Sequence, residues 1–186
     1  MIGRNTAIIF TFAWLAIFTM VAPVPRAQAG SAAEIDAAAH DTLSDFVDQV
    51  RGSRDLIRRS AAVLVFPTVV KAGFGVGGEY GEGALIERGR TVDYYNTVSA
   101  SVGFQFGAQA RSVVIVFMTP EALDSFRRVD GWKVGVDGSV ALINIGAGTS
   151  IDTTRINDPI VGFIFDGKGL MYNLTLEGSK ISRIDR

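Results

Sequence analysis

The sequence predicts an α+β domain: an N-terminal helical hairpin packed on a strongly curved, mostly antiparallel β-sheet or barrel-like shell, with one further short helix. Three observations predict it. Between Ser31 and Gly52 apolar residues recur at threes and fours, the period of a helix with one buried side. From Ala62 onward the period changes to two, in short runs punctuated by turn residues. Six glycines then fall within "KAGFGVGGEYGEGAL", Lys71 to Leu85, which leaves strand faces bare enough for a sheet to bend.

The first residues read as an export signal. Arg4 precedes an uncharged, mostly apolar run from Asn5 to Pro25, and Ala27 and Ala29 form an A-x-A cleavage site. Residues 1–29 are expected to be a cleavable signal peptide, with cleavage after Ala29, and residues 30–186 a single domain. The alternative is an uncleaved anchor, since the run is nearly the length that spans a bilayer; Pro23 and Pro25 and the small-residue site favour cleavage. The chain has no cysteine. That excludes disulfides, thiol catalysis, a thiolate metal site and a lipidated cysteine after the leader. A Sec-type leader without a lipobox implies a periplasmic or secreted bacterial protein. The chain has 18 basic and 19 acidic residues; loss of Arg4 and Arg26 leaves 16 and 19, a net charge of −3. Such a surface has no broad positive field, so nucleic acid is not an expected partner and any anion site must be local.

Each element has its own signals. Ser31 and Glu34 stand at capping-box spacing, and Ile35, Ala38, Ala39, Leu43, Phe46, Val47 and Val50 form one stripe ending at Gly52. Ser53 is placed to cap a second short helix, "RDLIRRSA". "AVLVF", from Ala62, is a buried strand stopped by Pro67. Strand-like runs follow over Val69–Tyr80, Gly83–Glu87, Val98–Gln109, Ser112–Met118, Lys133–Val136, Ser139–Ile145, Ile160–Phe165, Leu170–Leu176 and Lys180–Ile184. "ERGR", "VDGS", "FDGKG" and "LEGSK" supply turns. "TPEALDSFRR" is the one interrupting helix, with Thr119 as N-cap and Pro120 in its first position.

The glycines admit two readings. Gly73, Gly75, Gly77, Gly81 and Gly83 share one strand face, while Phe74, Val76, Tyr80 and Ala84 share the other. Curvature, or the close approach of another backbone, accounts for this directly. A dinucleotide fingerprint also matches at Gly73 to Gly78, but it needs a helix immediately after it, and "EYGEG" follows instead. "GFIFDGKG" falls short of a phosphate loop, because Gly169 stands where Ser or Thr must reach magnesium; Asp166-Gly167 reads as a hairpin turn.

No catalytic constellation emerges. His40 is the sole histidine and reads as a helix-surface residue; zinc would need partners that the chain lacks. Glu79 and Glu82, three apart on a strand, point to opposite faces, a poor arrangement for a general acid and base. Asp152 lacks the spaced oxygens of a calcium loop, and Asn173-Leu-Thr175 matters only in a glycosylating pathway. No catalytic residue, metal or cofactor is expected. The basic residues stand out more: Arg51, Arg54 and Arg58 recur at threes and fours, with Arg59 beside them and Lys71 ahead of the glycines. They form either a phosphate-binding patch or a solvated helix face partly neutralised by Asp55.

At "AVLVFPTVVKAGFGVGGEYGEGALI" the chain resembles the SYLF family, also called the Ysc84 or Las17-binding protein domain. "VGFQFGAQARSVVIVFMTPEALDSF", "WKVGVDGSVA" and "DGKGLMYNLTLEGSKI" extend the resemblance over nearly all of residues 30–186. The resemblance implies a non-enzymatic lipid-binding module; eukaryotic members bind phosphoinositides, and some bind actin, usually beside an SH3 domain. Lipid binding attributed to the family's amphipathic N-terminal region maps here onto Leu43, Phe46 and Val47 with Arg51, Arg54, Arg58, Arg59 and Lys71. The expected partner is a phospholipid membrane surface or lipid head group. The alternative is a structural or protein-interaction domain of the periplasm, whose helix stripe is core and whose sheet edges meet an envelope protein.

Overall fold

A computed structural model of the chain describes residues 30–145, 157–168, 176 and 178–186. The leader, the Asp152 segment and the Asn173 sequon lie outside the described residues, as does most of the expected strand Leu170–Leu176. Helix α1 runs Ala32–Gln49 and opens with the full capping box: the Ser31 hydroxyl accepts from the Glu34 N–H, and the Glu34 carboxylate accepts from the Ser31 N–H. Ile35, Ala39 and Phe46 are buried along its stripe, while Ala38 faces solvent. Helix α2, Ser53–Arg59, is capped differently from the expectation. Gly52, at φ 89°, takes the N-cap position, a backbone state that favours glycine. Ser53 is the first helical residue instead, and its buried hydroxyl donates to the Val50 carbonyl at 2.5 Å, tying the two helices together.

Two long strands dominate. β1, Ala62–Glu87, and β2, Arg90–Phe117, pair antiparallel from Ala62↔Phe117 to Glu87↔Arg90. The turn between them is Arg88-Gly89, at φ 49° and 78°, the two-residue left-handed geometry that matches strand twist. Pro67 does not stop the strand. Pro67 and Thr68 together stand opposite Ser112, a bulge in which the Ser112 hydroxyl donates to the Pro67 carbonyl at 2.9 Å. The bulge resets the parity, so Leu64 and Phe66 before it and Val69 after it reach the same core.

Helix α3, Pro120–Arg128, starts at the Thr119 cap as expected. β3 is only Trp132–Lys133, shorter than the expected run, and Val136 beyond it lies in the open. β4, Ala141–Asn144, pairs parallel with β5, Ile160–Lys168; β6, Lys180–Ile184, pairs antiparallel with β2 over Tyr94–Val98. The expected Asp166-Gly167 turn is strand instead. Among the described residues the strands form one curled sheet, and all its long pairings are antiparallel.

The sheet carries a core on each face. On one, Phe46 of α1 meets Phe163 and Phe165 of β5 with ring centroids 5.0 and 5.5 Å apart, joined by Val63, Val65, Val114 and Val116. On the other, Phe126 of α3 lies against Tyr95, Phe117 and Trp132. This double cover explains why "AVLVF" is apolar without alternation. The curl depends on bare backbone. A Cβ on Gly81 would lie 2.8 Å from the Thr68 carbonyl oxygen, and one on Gly83 would be 2.7 Å from the Phe66 ring and overlap the Val65 carbonyl. The second half of β1 thus comes against the backbone of its own first half, and only glycine fits there.

Candidate functional site

The helical hairpin and the β1–β2 turn enclose a cleft of about 330 Å³. Leu43 of α1, Ile57 of α2, and Ala62, Val63 and Ile86 of β1 line it, with Arg58 and Arg88 among its walls. Each wall has a local cause. Leu43 sits at the half-buried margin of the α1 stripe, and Ile57 lies one position beyond the buried Leu56. Arg88 is held at the tip of the hairpin by the register of β1 against β2. It is the one described non-glycine residue at positive φ, a state costing roughly 1–2 kcal/mol for an L-residue. The two-residue turn sets that positive φ and leaves the exposed Arg88 side chain beside the cleft. The cleft lies at the small end of the range in which ligand pockets fall, ~300–1,000 Å³. It offers apolar walls with guanidinium groups at hand, a combination that suits an anionic head group joined to a hydrocarbon part.

The residues expected from the sequence divide into three groups. Leu43 and Arg58 line the cleft, and Val47 is half-buried one turn along α1 from Leu43. Arg51, Arg54 and Arg59 are exposed or half-exposed nearby, though Arg51 precedes α2 rather than sharing its face. Their pairings are surface ones: Arg58 to Asp55 at 2.5 Å, Arg59 to Asp55 at 3.2 Å and Arg54 to Asp48 at 3.9 Å. Such exposed pairs contribute about 0–1 kcal/mol, so a phosphate can displace the carboxylates at little cost.

Phe46 and Lys71 depart from the expectation. Phe46 is 0% exposed and belongs to the aromatic core, so it has no free face to offer a membrane. Lys71 is not among the residues that line the cleft. Its ammonium lies 3.3 Å from Glu79, which also accepts from Arg111 at 2.6 Å, all three side chains being buried in the sheet. Burial pulls the Arg111 pKa below its ordinary value, while Glu79 opposes that shift. The bulge at Pro67 and Thr68 is what turns Lys71 inward, and no periodicity argument could have seen it. Ile57 and Arg88 were missed for a related reason: the tip of a long hairpin returns to the helices only in three dimensions.

His40 lies on α1 as expected, half-exposed, 3.7 Å from Asp36 and 3.4 Å from the Thr91 hydroxyl, which donates to Asp36. This trio pins α1 to β2 near the hairpin. Glu79 and Glu82 do point to opposite faces, Glu79 into the buried ion cluster and Glu82 toward the N-terminus of α1. Among the described residues no cluster of three or more His, Asp or Glu could hold a metal ion. A second, open groove of about 860 Å³ runs beside the start of α1; Val70, Tyr80 and Val98 line it and are 43–45% exposed.

Residues 98–185 match the family model described as Ysc84, Las17-binding protein actin regulator. An SH3 domain-containing protein of Schizosaccharomyces pombe is 29% identical over 154 residues, covering 74% of this chain and 35% of its own length. The chain therefore spans about a third of the curated relative it matches. The residues of the cleft precede the stretch that the family model matches.

Proposed function

We propose, starting from the match of residues 98–185 to the Ysc84 family model, that this chain is a non-enzymatic binding domain of the bacterial envelope that takes anionic phospholipid head groups. The observation that carries the reading is the apolar cleft between the helical hairpin and the β-hairpin, with Arg58 and Arg88 in its walls. Arg51, Arg54 and Arg59 extend the positive surface, and Leu43 and Val47 supply apolar contact at its edge. Phe46 supports the site from beneath as packing, and Lys71 takes no part in it. The reading is tested by co-sedimentation with phosphatidylglycerol and with phosphatidylcholine vesicles. Binding to the anionic vesicles should weaken with salt and fall at least tenfold in Arg58→Ala/Arg88→Asn. Asn tolerates the left-handed turn, so this variant removes charge without adding strain. Undiminished, salt-insensitive binding by the double variant would overturn the reading.

A second reading is a protein-interaction domain. It is favoured by the open groove with exposed Val70, Tyr80 and Val98 and by the family description, which names a protein partner. Val70→Ser/Val98→Ser separates the two: loss of an envelope partner in pull-down, with vesicle binding intact, supports the protein surface.

A further inference from the structure

We propose that the amino group released by cleavage after Ala29 becomes a structural ion pair with Glu82, so that processing itself locks the N-terminus of α1 onto the sheet. The inference rests on the cleavage read from Ala27 and Ala29 together with the geometry around Gly30. The Gly30 nitrogen lies 2.9 Å from Glu82 Oε2. The site is fitted to that residue: a Cβ on Gly30 would stand 3.1 Å from Ile35 Cγ1, tighter than ordinary contact. Glu82 is a prepared acceptor. Tyr80 donates its hydroxyl to the other carboxylate oxygen at 2.6 Å, Arg186 donates to the same oxygen, and the Glu82 side chain is only 10% exposed.

The chemistry is a hydrolysis carried out by a peptidase. Water adds across the Ala29–Gly30 peptide bond: its oxygen stays with Ala29 in the new carboxylate, and both its hydrogens end on the Gly30 nitrogen, which becomes an ammonium. Before cleavage that nitrogen is a neutral amide donating one hydrogen bond to Glu82; afterwards it is an ammonium at the same place, below its pKa of about 7.7–8.0 or higher. A bond in which only the carboxylate is charged becomes an ion pair in which both partners are, on a side chain largely withdrawn from solvent.

The sign of this effect is diagnostic. A positive charge just ahead of a helix opposes the macrodipole, so acetylating an amino terminus ordinarily stabilises the helix that follows. Here acetylation should destabilise, because Glu82 would keep its desolvation and lose its ammonium. The groups facing the amine are Glu82 and Tyr80 of β1, Glu34 of α1 and Arg186. Of these only Glu82 gives its carboxylate to the Gly30 nitrogen, since Glu34 is spent on the Ser31 N–H and hydroxyl.

The test compares the chain beginning at a free Gly30 with the same chain acetylated there, each with Glu82 and with Glu82→Gln, by thermal unfolding from pH 6 to pH 10. The free amine should melt several degrees higher at pH 6. Its folded pKa is raised by the carboxylate, so the advantage is complete below the unfolded value and fades as pH rises through the folded one. Glu82→Gln should abolish the difference or reverse it to the ordinary sign. Equal melting of the free and acetylated forms, or an advantage that survives Glu82→Gln, overturns the ion pair. Mass spectrometry of the chain exported from its full precursor tests the premise separately: an amino terminus other than Gly30 overturns the processing step whatever the melting curves show.

Discussion

Gly83 is where the curl of the sheet can be broken by one methyl group. A Cβ there would overlap the Val65 carbonyl oxygen and lie 2.7 Å from the Phe66 ring and 2.9 Å from the Val65 carbonyl carbon. Two of these three neighbours are backbone, which cannot rotate aside, so β1 must move relative to itself. Overpacking of this kind costs typically 1–3 kcal/mol and occasionally more. The entropy that alanine removes from the unfolded chain returns only about 0.4–1 kcal/mol. Gly83→Ala should therefore destabilise by about 2 kcal/mol or more, a fall of roughly 4–8 °C in melting temperature for a domain of this size. Gly78→Ala is the internal control. It lies in the same glycine run, yet its nearest contact would be the Ser99 carbonyl oxygen at an ordinary 3.4 Å, so it should be neutral or slightly stabilising. Urea unfolding of the two variants, with equal m-values, reads the difference directly. Agreement of the two within about 0.5 kcal/mol would show that β1 does not press on itself at Gly83.

The other predictions concern the buried groups and the acid limb. Phe46→Ala should cost about 3–5 kcal/mol in urea without any lipid present, because the ring fills the space between Phe163 and Phe165; a loss under about 1 kcal/mol would return it to the surface. Glu79→Ala leaves Lys71 and Arg111 buried without their shared carboxylate and should cost about 3–5 kcal/mol, whereas Lys71→Met keeps the Arg111–Glu79 pair and should cost clearly less. Burial raises the Glu82 pKa, but bonds from Tyr80, Gly30 and Arg186 outweigh it and hold the carboxyl below its ordinary value. Its contribution is thus present above the unfolded carboxyl pKa and lost as pH falls through the folded one. Glu82→Gln should flatten stability against pH on the acid side, and an unchanged acid limb would count against the bonding described.

Much of the fold was legible because its signals are local. The capping box of α1, the Thr119 and Pro120 start of α3 and the Arg88-Gly89 turn each depend on a few neighbouring residues, so the chain announces them wherever it folds. The glycine run declared bare faces and therefore a bend. It could not say that the backbone meeting Gly81 and Gly83 belongs to the same strand. Half of the candidate site was legible for the same reason. Leu43 and Arg58 follow from the helix period, while Arg88 joins them through a hairpin whose tip lies thirty residues further along the chain than Arg58.

The sequence by itself determined the helices and the similarity of residues 98–185 to the Ysc84 family model, because helix period, caps and motifs are written in near neighbours. Tertiary structure alone decided which polar groups are inside. A two-for-one bulge at Pro67 and Thr68 puts Lys71 on the face opposite to the one an unbroken alternation gives it, beside a buried carboxylate. One extra residue in a ladder of period two reverses in from out, and only the paired strand shows whether it is there.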